Sequence, residues 1–352
     1  MSPLRYLGWA AVTLALLCAL HLGTFVYQLG APYAAEYWMG DSLVVKRHLL
    51  DLAAQSTERK LVIAGGSSSF IGLDSRMLEE ALHVQTVNAA LAFHLPIEYY
   101  FSLIEPALKP DDIVVLPLEY EYYTRRTPYI PEFSSQVLTW HTEYFTGLPA
   151  WQKVKLLATV PWHRVAGGVL AKLWQDQIQR QGPPATTNPD LVISIVHRRW
   201  RGEAITVPDS AYYYSFFHID DHGDVREILG TYSWSAVTSL SKPFVDAEYP
   251  WNVLAEFARW CRAHHVWVFV TWPPTVKDPV VDFESPPTRA HVGAIMSRLA
   301  AIGIPILGSP TDVQFDRALF TDTHYHLSPE GKVQRTNLLI QWLKAVRTRQ
   351  GP

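Results

Sequence analysis

Cysteine is scarce in this chain of 352 residues, with only Cys18 and Cys261. Two cysteines exclude a disulfide framework and a cysteine-rich zinc module. An excess of either charge is also missing, since 30 Lys and Arg stand against 33 Asp and Glu, a formal net charge of −3. That balance excludes the clustered positive footprint of a nucleic-acid-binding domain. No repeat and no low-complexity tract occurs. With 48% hydrophobic residues the chain has ample material for a core, which excludes a disordered protein. At roughly 100–200 residues per domain, the length allows one large domain or two modest ones.

The most informative absence is local. Between Arg5 and Glu36 there is no Asp, Glu, Lys or Arg, and residues 7–29 are mostly apolar. About 20 such residues cross a bilayer as a helix. The run is longer than the roughly 7–15-residue core of a cleaved signal peptide, and the small residues near Ala34 and Ala35 form no Ala-x-Ala site. Tyr6, Trp9, Tyr27 and Tyr33 fall near its ends, where amphipathic rings favour the membrane interface. Arg5 and the amino terminus precede the run, while Glu36 and Asp41 follow it. The positive-inside rule then predicts a cytoplasmic amino end, with the remainder periplasmic or extracellular. No second comparable run exists, so the expected organisation is a single-pass anchor of the cytoplasmic (inner) membrane over 1–35. A connector at 36–60 and an extracytoplasmic domain at 61–352 follow.

Within that domain short apolar strands alternate with amphipathic helices. Strands are expected at 61–64, 84–89, 113–118, 266–271 and 305–307, with helices at 75–82, 96–108, 253–264, 288–301 and 329–347. The alternation predicts an α/β fold, a five-stranded parallel flavodoxin-like sheet with helices on both faces. A large insertion at about 121–249 interrupts it. Aromatics crowd there (Trp200, Tyr212, Tyr213, Tyr214, Phe216, Phe217, Trp234), and it is expected to cap the sheet's carboxyl edge without forming an independent domain.

Ligands of open parallel sheets bind beyond the carboxyl ends of the strands, and two segments put reactive side chains there. The first is Gly65-Gly66-Ser67-Ser68-Ser69, directly after the first strand. Glycines permit a tight turn that lifts a serine hydroxyl above the sheet, and such a hydroxyl needs a base to become a nucleophile. The second segment, Asp322-Thr323-His324-Tyr325-His326-Leu327-Ser328-Pro329-Glu330-Gly331, precedes the terminal helix. There an imidazole can take the serine proton and a carboxylate can fix its tautomer. Gly-Gly-Ser-Ser-Ser is also good loop composition, so Ser67 alone could be a turn serine, and Ser68 is the second candidate nucleophile. A phosphate-cradling loop is disfavoured because no Lys-Ser/Thr follows. His324 and His326 could share a face toward a metal, but no further ligand cluster accompanies them, and no metal is expected. Asp220-Asp221-His222-Gly223-Asp224 reads as a solvated turn, and His264-His265 as a helix terminus.

Together the two segments resemble the SGNH (GDSL-type) hydrolase superfamily. Gly65-Gly66-Ser67 is similar to its Gly-Asp-Ser block, with glycine in place of aspartate. The second segment is similar to its Asp-x-x-His block, one residue longer before His326. That longer form resembles membrane-anchored SGNH-like proteins of polysaccharide O-acetylation, of the alginate and cellulose type, and those of teichoic-acid D-alanylation. The resemblance covers about residues 61–118 and 250–345. It implies Ser67 as nucleophile, His326 as general base and acid, and Asp322 as orienting carboxylate, with no cofactor. It also implies oxyanion donors at the Ser67 N–H and at Ala89 or Asn88, although no Gly-x-Asn-Asp follows the third strand. Trp272, Glu119, Tyr120 and His94 are the candidates for contacting substrate. The implied partners are a polysaccharide acceptor and an integral membrane acyltransferase as acyl source. Deacetylation by a plain esterase and a non-catalytic carbohydrate-binding subunit are the competing expectations.

Overall fold

Short strands, most of them rich in Val, Ile and Leu, make the sheet. In a computed structural model, which describes residues 3–31, 34–174, 188–207, 214–226, 239–240 and 242–349, seven strands form. They are β1 (Lys60–Ile63), β2 (Gln85–Asn88), β3 (Ile113–Leu116), β4 (Trp267–Thr271), β5 (Thr275–Val276), β6 (Ile306–Leu307) and β7 (Gln314–Phe315). Five of them pair in parallel in the order β2-β1-β3-β4-β6, and β5 pairs with β7. Every residue of β1 and β3 is buried, as expected of parallel strands covered on both faces. Ile63 lies opposite Asn88 on one side and Val115 on the other, so the chain leaves β1, β2 and β3 at one edge. Lys60 opens β1 with its ammonium 2.9 Å from Asp112, and its backbone N–H donates to the same carboxylate. Both residues are fully buried, which fixes the opposite edge.

Helices fill the intervals: α1 (Pro3–Gln28), α2 (Ala34–Gln55), α3 (Ser67–Gly72), α4 (Ser75–Leu82) and α5 (Ile97–Ile104). Then come α6 (Pro131–Trp140), α7 (Thr142–Gly147), α8 (Ala150–Thr159), α9 (Trp162–Leu173) and α10 (Pro189–Trp200). The last are α11 (Glu248–Ala263), α12 (Pro286–Ile302) and α13 (Pro329–Arg349). The expected connector at 36–60 is mostly helix, because Leu43, Leu49, Leu50 and Ala53 form an apolar stripe at helical spacing. Asp74 caps α4 by accepting the Met77 N–H at 3.0 Å. His264, at the end of α11, turns its Nδ1 to the Trp260 carbonyl.

Two compact units emerge: Met1–Gly40 with Tyr129–Thr187, and Asp41–Pro128 with Asn188–Pro352. The insertion expected at 121–249 therefore divides, and its middle stretch belongs with the amino-terminal helix. Helix α1 is long and apolar enough to cross a membrane, with mean hydropathy 1.9 and 6% of its apolar window buried. Tyr33, Tyr212, Tyr213 and Trp234 lie outside the described residues.

Candidate active site

Ser67 is the first residue of α3, four residues beyond the end of β1, and is half-buried. The following peptide is held on both sides. The Ser68 N–H donates to Glu119 Oε1 at 2.9 Å, and the Arg335 guanidinium donates to the Ser68 carbonyl at 2.6 Å and to Trp272 O at 3.2 Å. Glu119 and Arg335 are both buried. Burial pushes the Glu119 carboxyl above its ordinary range, an effect the Ser68 N–H opposes. Burial also lowers Arg335 to about 9, against the raising influence of Glu119. Gly66 makes room for this arrangement, because a Cβ there would fall 2.6 Å from Glu119 Cδ.

The second segment is a closed loop. Phe320 and Leu327 form an antiparallel bridge, and the Thr321 N–H donates to His326 O at 3.0 Å. Inside it, His326 Nδ1 lies 2.8 Å from Asp322 Oδ1, and His326 Nε2 lies 2.9 Å from Ser67 Oγ. Thr321 Oγ1 donates to the same carboxylate oxygen at 3.1 Å. The bridge fixes the ends of the loop. His326 is 7% exposed. A proton on Nδ1 facing the carboxylate leaves Nε2 as an acceptor for the serine hydroxyl, the tautomer a general base requires. The structure thus brings Ser67, His326 and Asp322 together, in the unit that holds the sheet.

Tyr214 completes the set. Its hydroxyl donates to Asp322 Oδ2 and lies 2.8 Å from His326 Nδ1, with the two rings edge to face. It belongs to the aromatic run of the insertion, where composition alone gave no role. Arg335 is a second residue outside the sequence expectations, although it lies four and eight residues before Leu339 and Leu343, on the buried stripe of α13. A basic residue on an apolar stripe was the available signal. His324 does not join His326 as a ligand: its ring rests on Tyr325, and burial together with His326 lowers it to about 4. Both His326 nitrogens are already engaged.

The oxyanion and substrate expectations need correction. The Ala89 N–H donates to Ile63 O within the sheet at 2.8 Å. Asn88 is fully buried: its amide donates to Ser69 O and Asp224 Oδ1, and its backbone N–H to His222 O. Neither group is available to a substrate. Trp272, at 1% exposed, and Tyr120, at 0%, pack in the core and offer no stacking face. Glu119 is the buried acceptor beneath Ser68. His94 is half-exposed, with its ring edge against Phe93.

The 220–224 turn is also not simply solvated. Asp224 is buried and accepts from Ser75 N, Ser75 Oγ and Asn88, and burial raises its pKa. Gly223 turns with φ +94°, against Asn88 O. The buried Lys46 ammonium donates to Asn88 O at 2.7 Å and to Gly223 O, and its pKa falls to about 7 by burial. Asp220, Asp221 and His222 could offer a metal three ligand atoms within 4.8 Å of one another. Arg76 and Arg226 already neutralise Asp221, however, and compete with a cation there. A cavity of about 200 Å³ lies nearby, lined by Ile71, Asp74, Asp224, Leu327 and Lys332, and neither Ser67 nor His326 faces it.

No family model matches the chain, and neither a curated protein nor a solved structure matches it.

Proposed function

We propose that the chain is a membrane-anchored extracytoplasmic O-acyltransferase acting on an envelope or secreted polysaccharide, with a flavodoxin-like core of the SGNH type. The observation that carries the chemistry is the unbroken line from Ser67 Oγ through His326 to Asp322, at 2.9 and 2.8 Å. The strand order β2-β1-β3-β4-β6 supports the fold assignment, since it follows the 2-1-3-4-5 pattern of that doubly wound class.

In this mechanism the Ser67 hydroxyl gives its proton to His326 Nε2 as its oxygen attacks the acyl carbonyl of a donor. The donor's leaving oxygen takes that proton, and the acyl group remains on Ser67. A sugar hydroxyl then loses its proton to Nε2 and attacks the acyl-serine, and the serine oxygen recovers the proton on leaving. Asp322 holds the Nδ1 proton and stabilises the imidazolium throughout. Helix α1 sets the enzyme at the cytoplasmic membrane with its amino end inside, where an integral membrane acyltransferase can supply acyl groups.

The commitment of Ala89 and Asn88 elsewhere favours a second reading, a non-catalytic carbohydrate-binding or assembly subunit. Loss of one such donor typically costs about a hundred- to a thousandfold in turnover. One experiment separates the readings. Wild type should be labelled by a fluorophosphonate and release acetate from a small acetyl ester, and Ser67→Ala should do neither. With an acetyl donor and an oligosaccharide acceptor, acetylated sugar marks a transferase and free acetate an esterase. Labelling and turnover unchanged by Ser67→Ala would remove the enzymatic reading.

A further inference from the structure

Helices that face water bury their apolar stripe and expose their polar side, but α9, which buries Val165 and Ala171, also exposes a second set of large apolar residues. Trp162, Leu170, Leu173 and the following Trp174 are 65, 47, 61 and 50% exposed. At 3.6 residues per turn they share about a third of the helix circumference. The inward side carries Arg164, which is 2% exposed and donates to Gln28 Oε1 at 3.2 Å and to Thr139 Oγ1 at 2.5 Å. Helix α8 repeats the outward pattern, with Trp151 and Val154 at 66 and 50% exposed and Lys155 over the Trp151 ring.

Two further observations identify what covers this face. First, α9 packs on the carboxyl end of α1. Trp162 stacks on His21 at 6.0 Å, Lys172 lies over Tyr27, and Gly168 has no Cβ, which there would fall 2.6 Å from Gln28 Oε1. The face is therefore continuous with the exposed apolar surface of the candidate spanning helix, at the end where that helix leaves its apolar window. Second, residues 144–175 contain no Asp or Glu but four basic residues, Lys153, Lys155, Arg164 and Lys172. Exposed tryptophans beside lysines, without acidic residues, suit the boundary between acyl chains and anionic headgroups.

We propose that α8 and α9 form a membrane foot. They sit at the bilayer boundary beside the carboxyl end of α1, with Trp151, Trp162, Leu170, Leu173 and Trp174 among the acyl chains and Lys153 and Lys155 at lipid phosphates. The proposal rests on α1 spanning the membrane, and Cys18, exposed on α1, reports on that separately.

The test uses the full chain in vesicles of phosphatidylethanolamine and phosphatidylglycerol, with Cys261→Ala throughout. A bimane is placed at Cys18, or, with Cys18→Ala, at Leu170→Cys, Leu173→Cys or Glu80→Cys, the last an exposed aqueous control on α4. Brominated acyl chains should quench the labels at positions 18, 170 and 173 while iodide does not, and the label at position 80 should show the opposite. Lys153→Glu with Lys155→Glu should shift positions 170 and 173 toward iodide quenching and leave position 18 unchanged. Iodide quenching at 170 and 173 with position 18 in lipid would overturn the foot and point to a protein partner on this face. Iodide quenching at position 18 as well would overturn the spanning helix itself.

Discussion

Replacing Gly66 with alanine probes how the turn before Ser67 is built. Gly66 has φ −85°, a conformation open to any residue, so the substitution strains no dihedral. The obstacle is steric: the new methyl would sit 2.6 Å from Glu119 Cδ, inside the 3.0 Å that real Cβ contacts do not cross. The carboxylate cannot swing to solvent, because Glu119 is 1% exposed and accepts the Ser68 N–H at 2.9 Å. Overpacking of this kind costs about 1–3 kcal/mol. Displacing the carboxylate also forfeits a hydrogen bond to a charged group, about 1.5–3 kcal/mol. Both losses act on α3, whose first residue is Ser67, so the hydroxyl should shift against His326 and labelling by a fluorophosphonate should slow.

A double-mutant cycle isolates the contact. Glu119→Ala alone removes the buried carboxylate and leaves the Ser68 N–H unpaired, which destabilises. Adding Gly66→Ala to Glu119→Ala should cost much less than adding it to wild type, because the methyl then enters vacated space. The expected coupling is about 1–3 kcal/mol, read by thermal unfolding of the detergent-purified chain. Simple additivity, or a Gly66→Ala protein as stable and as rapidly labelled as wild type, would refute the steric account.

Three further outcomes follow from the site. Tyr214→Phe removes one donor to Asp322, a hydrogen bond to a charged group worth about 1.5–3 kcal/mol. It should slow fluorophosphonate labelling roughly tenfold or more. Asp322→Asn should reduce labelling by up to about 10⁴-fold, since an amide no longer enforces the Nδ1-protonated tautomer, while the melting temperature changes little. His324 is lowered from 6.5 to about 4, so the unfolded chain binds its proton first as pH falls. Its contribution to stability is complete above about pH 6.5 and is lost toward pH 4, at most about 3 kcal/mol. His324→Gln should flatten that part of the unfolding curve, and parallel wild-type and variant curves would contradict it.

The sheet was legible because its strands are short, apolar and separated by strong punctuation. Gly65-Gly66, Lys109-Pro110 and Pro273-Pro274 bound β1, the start of β3 and the end of β4, and each observed boundary falls within two residues of the expected one. The adjacency of Ser67 and His326 was legible for the same reason. Parallel strands send both segments to one edge, and a four-residue Asp-to-His spacing suits a loop closed by one bridge. Tyr214 was not legible, since it reaches Asp322 across 108 residues and no local pattern encodes that contact. The failures at Ala89, Asn88 and Trp272 share another cause. Placement just after a strand does not mean exposure, and those groups are spent on the sheet, on the 220–224 turn and on Gly308 O.

Asn88 shows how far one such expenditure reaches. Its side chain joins Ser69 O to Asp224, and its carbonyl accepts Lys46 from α2. Asp224 in turn holds the first residue of α4 through Ser75. The residue that the resemblance would aim at a substrate oxyanion thus ties β2 to α2, α3 and α4. Freeing it would leave a buried carboxylate, an ammonium and a helix start short of partners, each a loss of about 1–3 kcal/mol or more. The site can therefore recruit an oxyanion donor only from groups that such ties leave free. At the nucleophile this points to the Ser67 N–H, the first of α3, which the helix's own hydrogen-bond ladder does not use. In the acyl transfer proposed above, a site without the Ala89 and Asn88 donors would stabilise the tetrahedral intermediate less, and turnover would depend more heavily on holding the acyl donor and the acceptor hydroxyl in line than on polarising the carbonyl.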